Sequence, residues 1–398
     1  MNRLSGVPKA TLENWRNGIV RHPRRWQDIV KVALAFELVE EHTNNLIMSG
    51  GHITVEELLK LDLVDEDRKL LERFRPSTPH KQDLLGVIDV NLKGADLLKN
   101  YDVWFTCKAM ARWQIWRLDT YLGETNPIEF DFGGDLGKRD HYVPVVSPDG
   151  QMIAFAVQTS TVPEYLSRDL FLASLTNRHV QQLTDSCLDA YSPSWSPDGK
   201  TIAFHAGIWD QPNCPNTYFG IWVIDICTGQ TYQLTDQTDH DPTWSPDGRY
   251  IAYHSGRDEQ VIKILDYASY QATINSCDSW IAVDVSTYAR APAWRNNHSL
   301  VYMDHFEGYW QIYEIPVKSN KTYTNPKQLT NSFRNNTYPS IYDSNILIWQ
   351  AYPHERSGNA DRGTDKDSAI YVMDLHQGVE IQLISGIGNI RDGCLSHR

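Results

Sequence analysis

Short apolar runs, each bounded by turn residues, recur along most of this chain at a near-constant interval. Five segments align on that pattern: YVPVVSPDGQMIAFA (142–156), YSPSWSPDGKTIAFH (191–205), HDPTWSPDGRYIAYH (240–254), RAPAWRNNHSLVYM (290–303) and YPSIYDSNILIWQ (338–350). Their shared prolines, Pro144, Pro193, Pro242, Pro292 and Pro339, stand 49, 49, 50 and 47 residues apart. Each segment reads as strand, tight turn, strand, because proline presets φ and the glycine of Pro-Asp-Gly accepts a positive φ. Two more strands follow in each unit, seen in GIWVIDICTGQTYQLTD (220–236), DLFLASLTNRHVQQLTD (169–185), WQIYEIPVKSNKTYTNPKQLTN (310–331) and AIYVMDLHQGVEIQLIS (369–385). Four strands in a unit of about 40–50 residues is the pattern of a propeller blade.

A sixth unit lies ahead of these. DVWFTCKA (102–109), WQIWRLDT (113–120) and NPIEFDF (126–132) supply three strands with no leading proline strand. The chain ends in IRDGCLSHR (390–398), where a further innermost strand is due. The tail is therefore expected to complete the first blade and close the ring, leaving no unpaired inner edge. The predicted fold is mainly β: a six-bladed β-propeller with a small N-terminal all-α domain. Its expected divisions are 1–78 helical, 79–101 linker and 102–398 propeller.

The xPxWSPDGxxIAF pattern, with IWVID and QLT later in the unit, resembles the TolB-like propeller repeat over about 300 of the 398 residues. The fourth and fifth segments depart from it, carrying RNNH and YDSN in place of SPDG. The resemblance implies blade architecture and a protein, peptide or ligand-binding face. It does not fix an activity, since one fold hosts many.

The first 78 residues follow another period. Trp26, Ile29, Val30, Ala33 and Phe36 recur at helical spacing after Pro23, a favourable first-turn residue. A second helix is expected to run to about Ser49 before Gly50-Gly51, and Thr54 with Glu57 forms a capping box for a third. The stretch LSGVPKATLENWRNGIVRHPRRWQDIVKVALAFEL resembles the helix-turn-helix of XRE-type regulators. The resemblance implies a recognition helix from Pro8 to about Trp15, with Lys9, Ala10, Thr11 and Asn14 toward the major groove. Arg16, Arg21, Arg24 and Arg25 would hold phosphates, which position a protein without specifying sequence. The family's first helix has no counterpart, since Met1 falls three residues before Leu4, so a truncated remnant is expected.

Charge sharpens this division. Residues 1–25 carry six basic side chains against Glu13, a net of +5, which leaves −18 on the rest of a chain whose total is −13. A basic head on an acidic body fits either a head that approaches DNA or a solvated helix surface. The 13 Trp and 20 Tyr suit pleated surfaces. The N-terminus has no apolar leader and no run reaches the length of a membrane helix, so a cytoplasmic, bacterial protein is expected, with Cys107, Cys187, Cys214, Cys227, Cys277 and Cys394 reduced.

Candidate chemistry is sparse. By repeat register Thr106, Ala156, His205, His254, Met303 and Gln350 share one position in the six blades. His205 and His254 then stand on adjacent blades, and with Gln350 they are the one trio that could approach a metal, though a site needs three or four convergent ligands. Hydrogen-bonded structural histidines are the expected reading, with no metal and no cofactor. Asp140, Asp189 and Asp239 precede the innermost strands and are expected either to rim the channel or to form turns. No GxSxG elbow, phosphate loop or HExxH occurs. The expectation is a non-enzymatic regulator with DNA at its head and a protein or peptide on the propeller, and the alternative is a propeller scaffold without DNA binding. A metal-dependent saccharide lyase is the third possibility.

Overall fold

The computed structural model describes residues 26–35, 58, 88–109, 112–159, 167–184, 189–207, 219–256, 261–273, 280–283, 288–317, 325–353, 368–386 and 389–397. The chain divides into two compact units, Met1–Gly86 and Val87–Arg398. Of the first unit, a helix over Trp26–Ala35 is described, with Ile29 and Val30 buried as the helical spacing expects, and Leu58 is a buried helical residue; the rest of the expected all-α domain lies outside the described residues.

The second unit forms six antiparallel sheets, numbered here as blades I to VI. Blade II runs from the inside outward as His141–Val146, Met152–Gln158, Arg168–Ser174 and Val180–Gln182. Blade III is Asp189–Trp195, Thr201–Gly207, Phe219–Asp225 and Thr231–Gln233. Blade IV is Asp239–Trp244, Tyr250–Ser255, Val261–Asp266 and Trp280–Val283, with a helix over Tyr267–Thr273 before its last strand. Blade V is Arg290–Asn296, Ser299–Phe306, Tyr309–Pro316 and Lys327–Gln328. Blade VI is Arg334–Tyr342, Ile346–Pro353, Ala369–Asp374 and Val379–Gly386. Blade I takes its innermost strand, Ile390–His397, from the C-terminus and continues as Tyr101–Ala109, Arg112–Asp119 and Glu124–Pro127. The closing strand predicted from the tail is thus present, with Val103 opposite Leu395 and Cys107 opposite Ile390.

The stretch expected to be a linker, 79–101, does more from residue 88. Ile88–Val90 adds a fifth strand to the outer edge of blade VI, Val90 lying opposite Ile384. A short helix, Leu92–Leu97, then packs so closely that a Cβ on Gly94 would meet Leu383 Cδ1 at 3.0 Å. Edge hydrogen bonds and the burial of Ala95 and Leu98 order a segment whose composition alone carries no strand signal. The junction of blades VI and I is therefore latched on both its inner and outer sides.

The blade motif explains the packing. In IAFA of blade II, Ile153 and Phe155 point toward blade I, while Ala154 and Ala156 point toward blade III. Side chains alternate across a strand, so each blade offers one large-residue face and one small-residue face. Ile202 and Phe204 fill the alanine face of blade II, Ile251 and Tyr253 that of blade III, and Leu300 and Tyr302 that of blade IV. Val103 and Phe105 of blade I meet Ile348 and Ile370 of blade VI. Each such buried side chain contributes roughly 1.5–3 kcal/mol.

The recurrent polar residues hold the hairpins. In Ser-Pro-Asp-Gly, Ser147 Oγ donates to Asp149 Oδ1 (2.6 Å) and accepts from Met152 N–H (2.9 Å), and Gly150 sits at φ 72°. Ser196 with Asp198, and Ser245 with Asp247, repeat the arrangement. Blade VI reaches the same end differently, with Asp343 and Ser344 both at positive φ in the paired-residue turn that suits a twisted hairpin. In the QLT motif, the Thr184, Thr235 and Thr330 hydroxyls accept the N–H of Leu170, Ile221 and Ile312 on the third strands.

Candidate functional site

The innermost strands share one departure from regular β geometry. Val143, Ser192, Asp241, Ala291, Tyr338 and Asp392 all adopt left-handed φ values between 47° and 56°. Five immediately precede the repeat prolines, and the sixth precedes Gly393. Each marks a bulge at which the register with the second strand slips. A non-glycine residue in this region costs on the order of 1 kcal/mol or more and persists only where its surroundings over-determine it. Here the closed ring does so, and the bulge re-aims side chains. All six residues line a central channel of about 1130 Å³.

Gly393 stands in for the sixth proline for a packing reason. A Cβ there would lie 3.1 Å from Ile370 Cδ1 and 3.4 Å from Ile348 Cδ1, so blade VI has closed over the position.

The residue before each bulge pairs with the equivalent second-strand position: Tyr142 with Ala156, Tyr191 with His205, His240 with His254, Arg290 with Met303, Thr337 with Gln350 and Arg391 with Thr106. The register read from the repeat is the register of the ring. Arginines stack on aromatic rings around this layer. The Arg391 guanidinium lies 3.8 Å from the Trp113 ring centre, Arg168 lies 3.9 Å from Tyr191, and Arg290 lies 5.0 Å from Trp310. Together they form a collar at the channel.

Asp140, Asp189 and Asp239, one reading of which put them on the channel rim, lie instead in the joints between blades. Asp140 accepts the N–H of Trp113 and the hydroxyl of Tyr142, both at 2.9 Å. Asp189 accepts the N–H of Arg168 at 3.0 Å and its Nε at 2.6 Å. Each thereby ties its own innermost strand to the third strand of the preceding blade, as Asn335 does for Trp310. Asp239 is buried beside Thr235 and Ser255, and burial raises its carboxyl pKa. Carboxylates so engaged hold blades together and leave the lining to others.

His205 and His254 do line the channel, both almost fully buried. His240 lies between them, its ring centre 5.0 Å from that of His205 and 5.2 Å from that of His254. All three flank Asp241. His205 Nδ1 stands 3.7 Å from Asp241 Oδ1, His254 Nδ1 stands 3.6 Å from Oδ2, and Ser192 Oγ donates to Oδ1 at 2.7 Å. Burial holds the imidazoles neutral: His205 falls well below its usual pKa, helped by His240, and His254 falls to about 4. Burial works to raise Asp241, but His254, His205 and the Ser192 hydroxyl outweigh it and hold the carboxyl low. At neutral pH the cluster is an ionised carboxylate among neutral rings.

Gln350 does not join these histidines. It stands on blade VI, directly across the ring from His205 on blade III, so the trio considered for a metal does not converge. Among the described residues no group of three or more His, Cys, Asp or Glu is arranged to hold a metal ion. Lys9, Thr11, Asn14, Arg16, Arg21, Arg24 and Arg25 lie outside the described residues. Among the described residues no helix is long and apolar enough to cross a membrane.

Asp241, His240, Arg168, Arg391, Tyr338 and Asp392 were not singled out from sequence. Their signal was present for three of them: Asp241 and Tyr338 directly precede a repeat proline, and Asp392 precedes the glycine that replaces one.

The fold is that of a TolB-like six-bladed β-propeller. It is similar to TolB from Acinetobacter baumannii, with 16% identity over 84% of this chain and 73% of that one and a TM-score of 0.56. It is also similar to hydrazine synthase of Kuenenia stuttgartiensis, with 12% identity over 75% of this chain and 46% of that one and a TM-score of 0.53. Identities this low establish the fold alone. No protein-family profile and no curated protein matches the sequence.

Proposed function

We propose that the propeller is a non-catalytic interaction module that takes an extended peptide segment of a partner protein at the collar of its channel. The observation that carries this is the sixfold bulge, which spends backbone strain at six equivalent positions to set side chains in one preformed channel. A rigid concave site needs little ordering when it binds, which favours affinity. Stacked Arg–aromatic pairs at its rim are residue types enriched in binding hot spots. The test is selection from a displayed random peptide library against the folded propeller and against a Ser192→Trp variant that obstructs the channel. Peptides recovered by the first and not the second support the reading. Equal recovery by both rejects it.

The DNA-contacting head rests on the motif and charge of residues 1–25. A mobility shift with random-sequence duplex across a salt series tests it, since phosphate contacts hold at low salt whatever the sequence. Absence of retardation at low salt removes it and leaves the propeller scaffold.

A further inference from the structure

Among the described residues Asp241 is a channel carboxylate with no Lys or Arg ion pair, although Arg168 and Arg290 are near enough to act on the histidines that flank it. Its neighbours are the Ser192 hydroxyl and the imidazoles of His205, His254 and His240, and among the described residues no Lys or Arg nitrogen lies within 4 Å of it. His205 cannot serve as its cation, because His205 Nδ1 accepts the N–H of Asp241 itself at 3.2 Å and so carries its proton on the other nitrogen. The side chain is 22% exposed toward the channel, so it is recessed yet reachable. A carboxylate taken this far from water is costly unless paired with an opposite charge.

Two further atoms ask for a hydrogen-bonding occupant. His254 Nδ1 and Gln350 Oε1 make no hydrogen bond, although their residues are 5% and 3% exposed and both line the channel. Gln350 Oε1 is an acceptor, His254 Nδ1 faces Asp241 Oδ2 at 3.6 Å and donates or accepts according to its tautomer, and Trp244 Nε1 on blade IV is an unpartnered donor, so the demand for donors centres on Asp241 and Gln350. Tyr338 adds an aromatic face, while the Tyr191 ring carries Arg168 at 3.9 Å; burial chiefly raises both phenols' pKa values, and Asp241 adds to the rise. The arginines of the collar are each engaged: Arg168 by Asp189, Arg391 beside Asp392 at 3.6 Å and over Trp113, and Arg290 over Trp310. Across the wider chain, the −18 net charge after residue 25 attracts basic partners.

We infer that the segment taken up by the channel carries a cationic side chain, a lysine ammonium or arginine guanidinium, which lodges against Asp241. This rests on the reading of the channel as a peptide site. An ammonium brings three donors and a guanidinium five, each with a full positive charge, which no neutral side chain matches. The Tyr338 face adds cation–π attraction.

The experiment follows the ring resonances of isotope-labelled histidine in the full chain at pH 7.5, with chelator present. Two probes are titrated, Nα-acetyl-lysine methylamide and Nα-acetyl-norleucine methylamide, whose uncharged side chain is the same carbon chain without the terminal nitrogen. The lysine probe shifts His254 and His205 and the norleucine probe leaves them in place. Asp241→Asn weakens the lysine probe at least tenfold; asparagine tolerates the left-handed backbone that position needs, so the bulge is kept. Equal response to both probes overturns the inference, as does an unchanged affinity in Asp241→Asn. So does a response to calcium, manganese or zinc chloride, added in chelator-free buffer, with the lysine probe silent. Library selection separates the two readings. Channel-dependent peptides without basic residues, with a silent lysine probe, leave the peptide site standing and remove the cation. A lysine-probe response with no channel-dependent peptides does the reverse.

Discussion

The N–H of Asp241 on blade IV donates to Nδ1 of His205 on blade III at 3.2 Å, so that nitrogen cannot take up a proton without releasing the inner bulge of the next blade. The bond joins two blades at the channel wall and makes the ring sensitive to acid.

The sign follows from the two ends of the titration. His254 and His141 are held down to about 4 in the folded chain, chiefly by burial, against an ordinary value near 6.5. Between those limits the unfolded chain binds protons that the folded chain refuses, so stability is full above about pH 6.5 and falls as pH drops toward 4. Each contributes on the order of 3 kcal/mol of that loss. Urea midpoints at intervals from pH 7.5 to 4.5 check this. His254→Gln should make the decline shallower, and midpoints that stay level across the window would falsify it.

Closure of the ring depends on eight residues. Deleting Ile390–His397 bares the inner edge of Tyr101–Ala109 and removes the buried Ile390, Cys394 and Leu395. The expected product is aggregated or lacks a cooperative melt, as seen by size-exclusion chromatography and circular dichroism, because an open propeller exposes both a sheet edge and an apolar face. Recovery of a sharp melt on adding a synthetic peptide of residues 390–398 identifies the lost strand as the cause.

The QLT threonines act as pins. Thr330 Oγ1 accepts the N–H of Ile312 at 2.9 Å and donates to Gln311 Oε1 at 2.9 Å, in a fully buried setting. Thr330→Val leaves that N–H without its partner and should cost about 1–3 kcal/mol, whereas Thr330→Ser should cost less. Denaturant melts of the pair decide it, and equal losses would show that the methyl group matters rather than the hydroxyl.

Gly220 is the second residue of the third strand of blade III, where a Cβ would stand 2.1 Å from the carbonyl oxygen of Thr235. Backbone there must move, so Gly220→Ala should cost about 3 kcal/mol or more. Gly229, at φ 72° with open space around it, supplies the comparison, and alanine there should cost about 1–2 kcal/mol for backbone strain alone. Thermal midpoints in the reverse order would contradict the structure at this blade.

The blades were legible because their causes are local. Pro-Asp-Gly makes a turn wherever it stands, and Ile-Ala-Phe alternation gives one large and one small face before any neighbour is known. The count of six, the closing role of residues 390–398 and the shared register of His205, His254 and Gln350 all follow from that spacing. The strand at Ile88–Val90 was not legible, since three residues become a strand only when the edge of blade VI is there to receive them.

The channel was decided by tertiary structure. In a regular strand Asp239 and Asp241, two residues apart, would face the same way. The bulge at Asp241 breaks that alternation, turning Asp239 into the joint with blade III and Asp241 into the channel. The repeat marks the proline that follows five of the six bulges, but the left-handed turn before it forms only where six innermost strands converge on one axis. Sequence by itself therefore determined the blades and their order, while the crowding of the closed ring decided which carboxylates the channel presents.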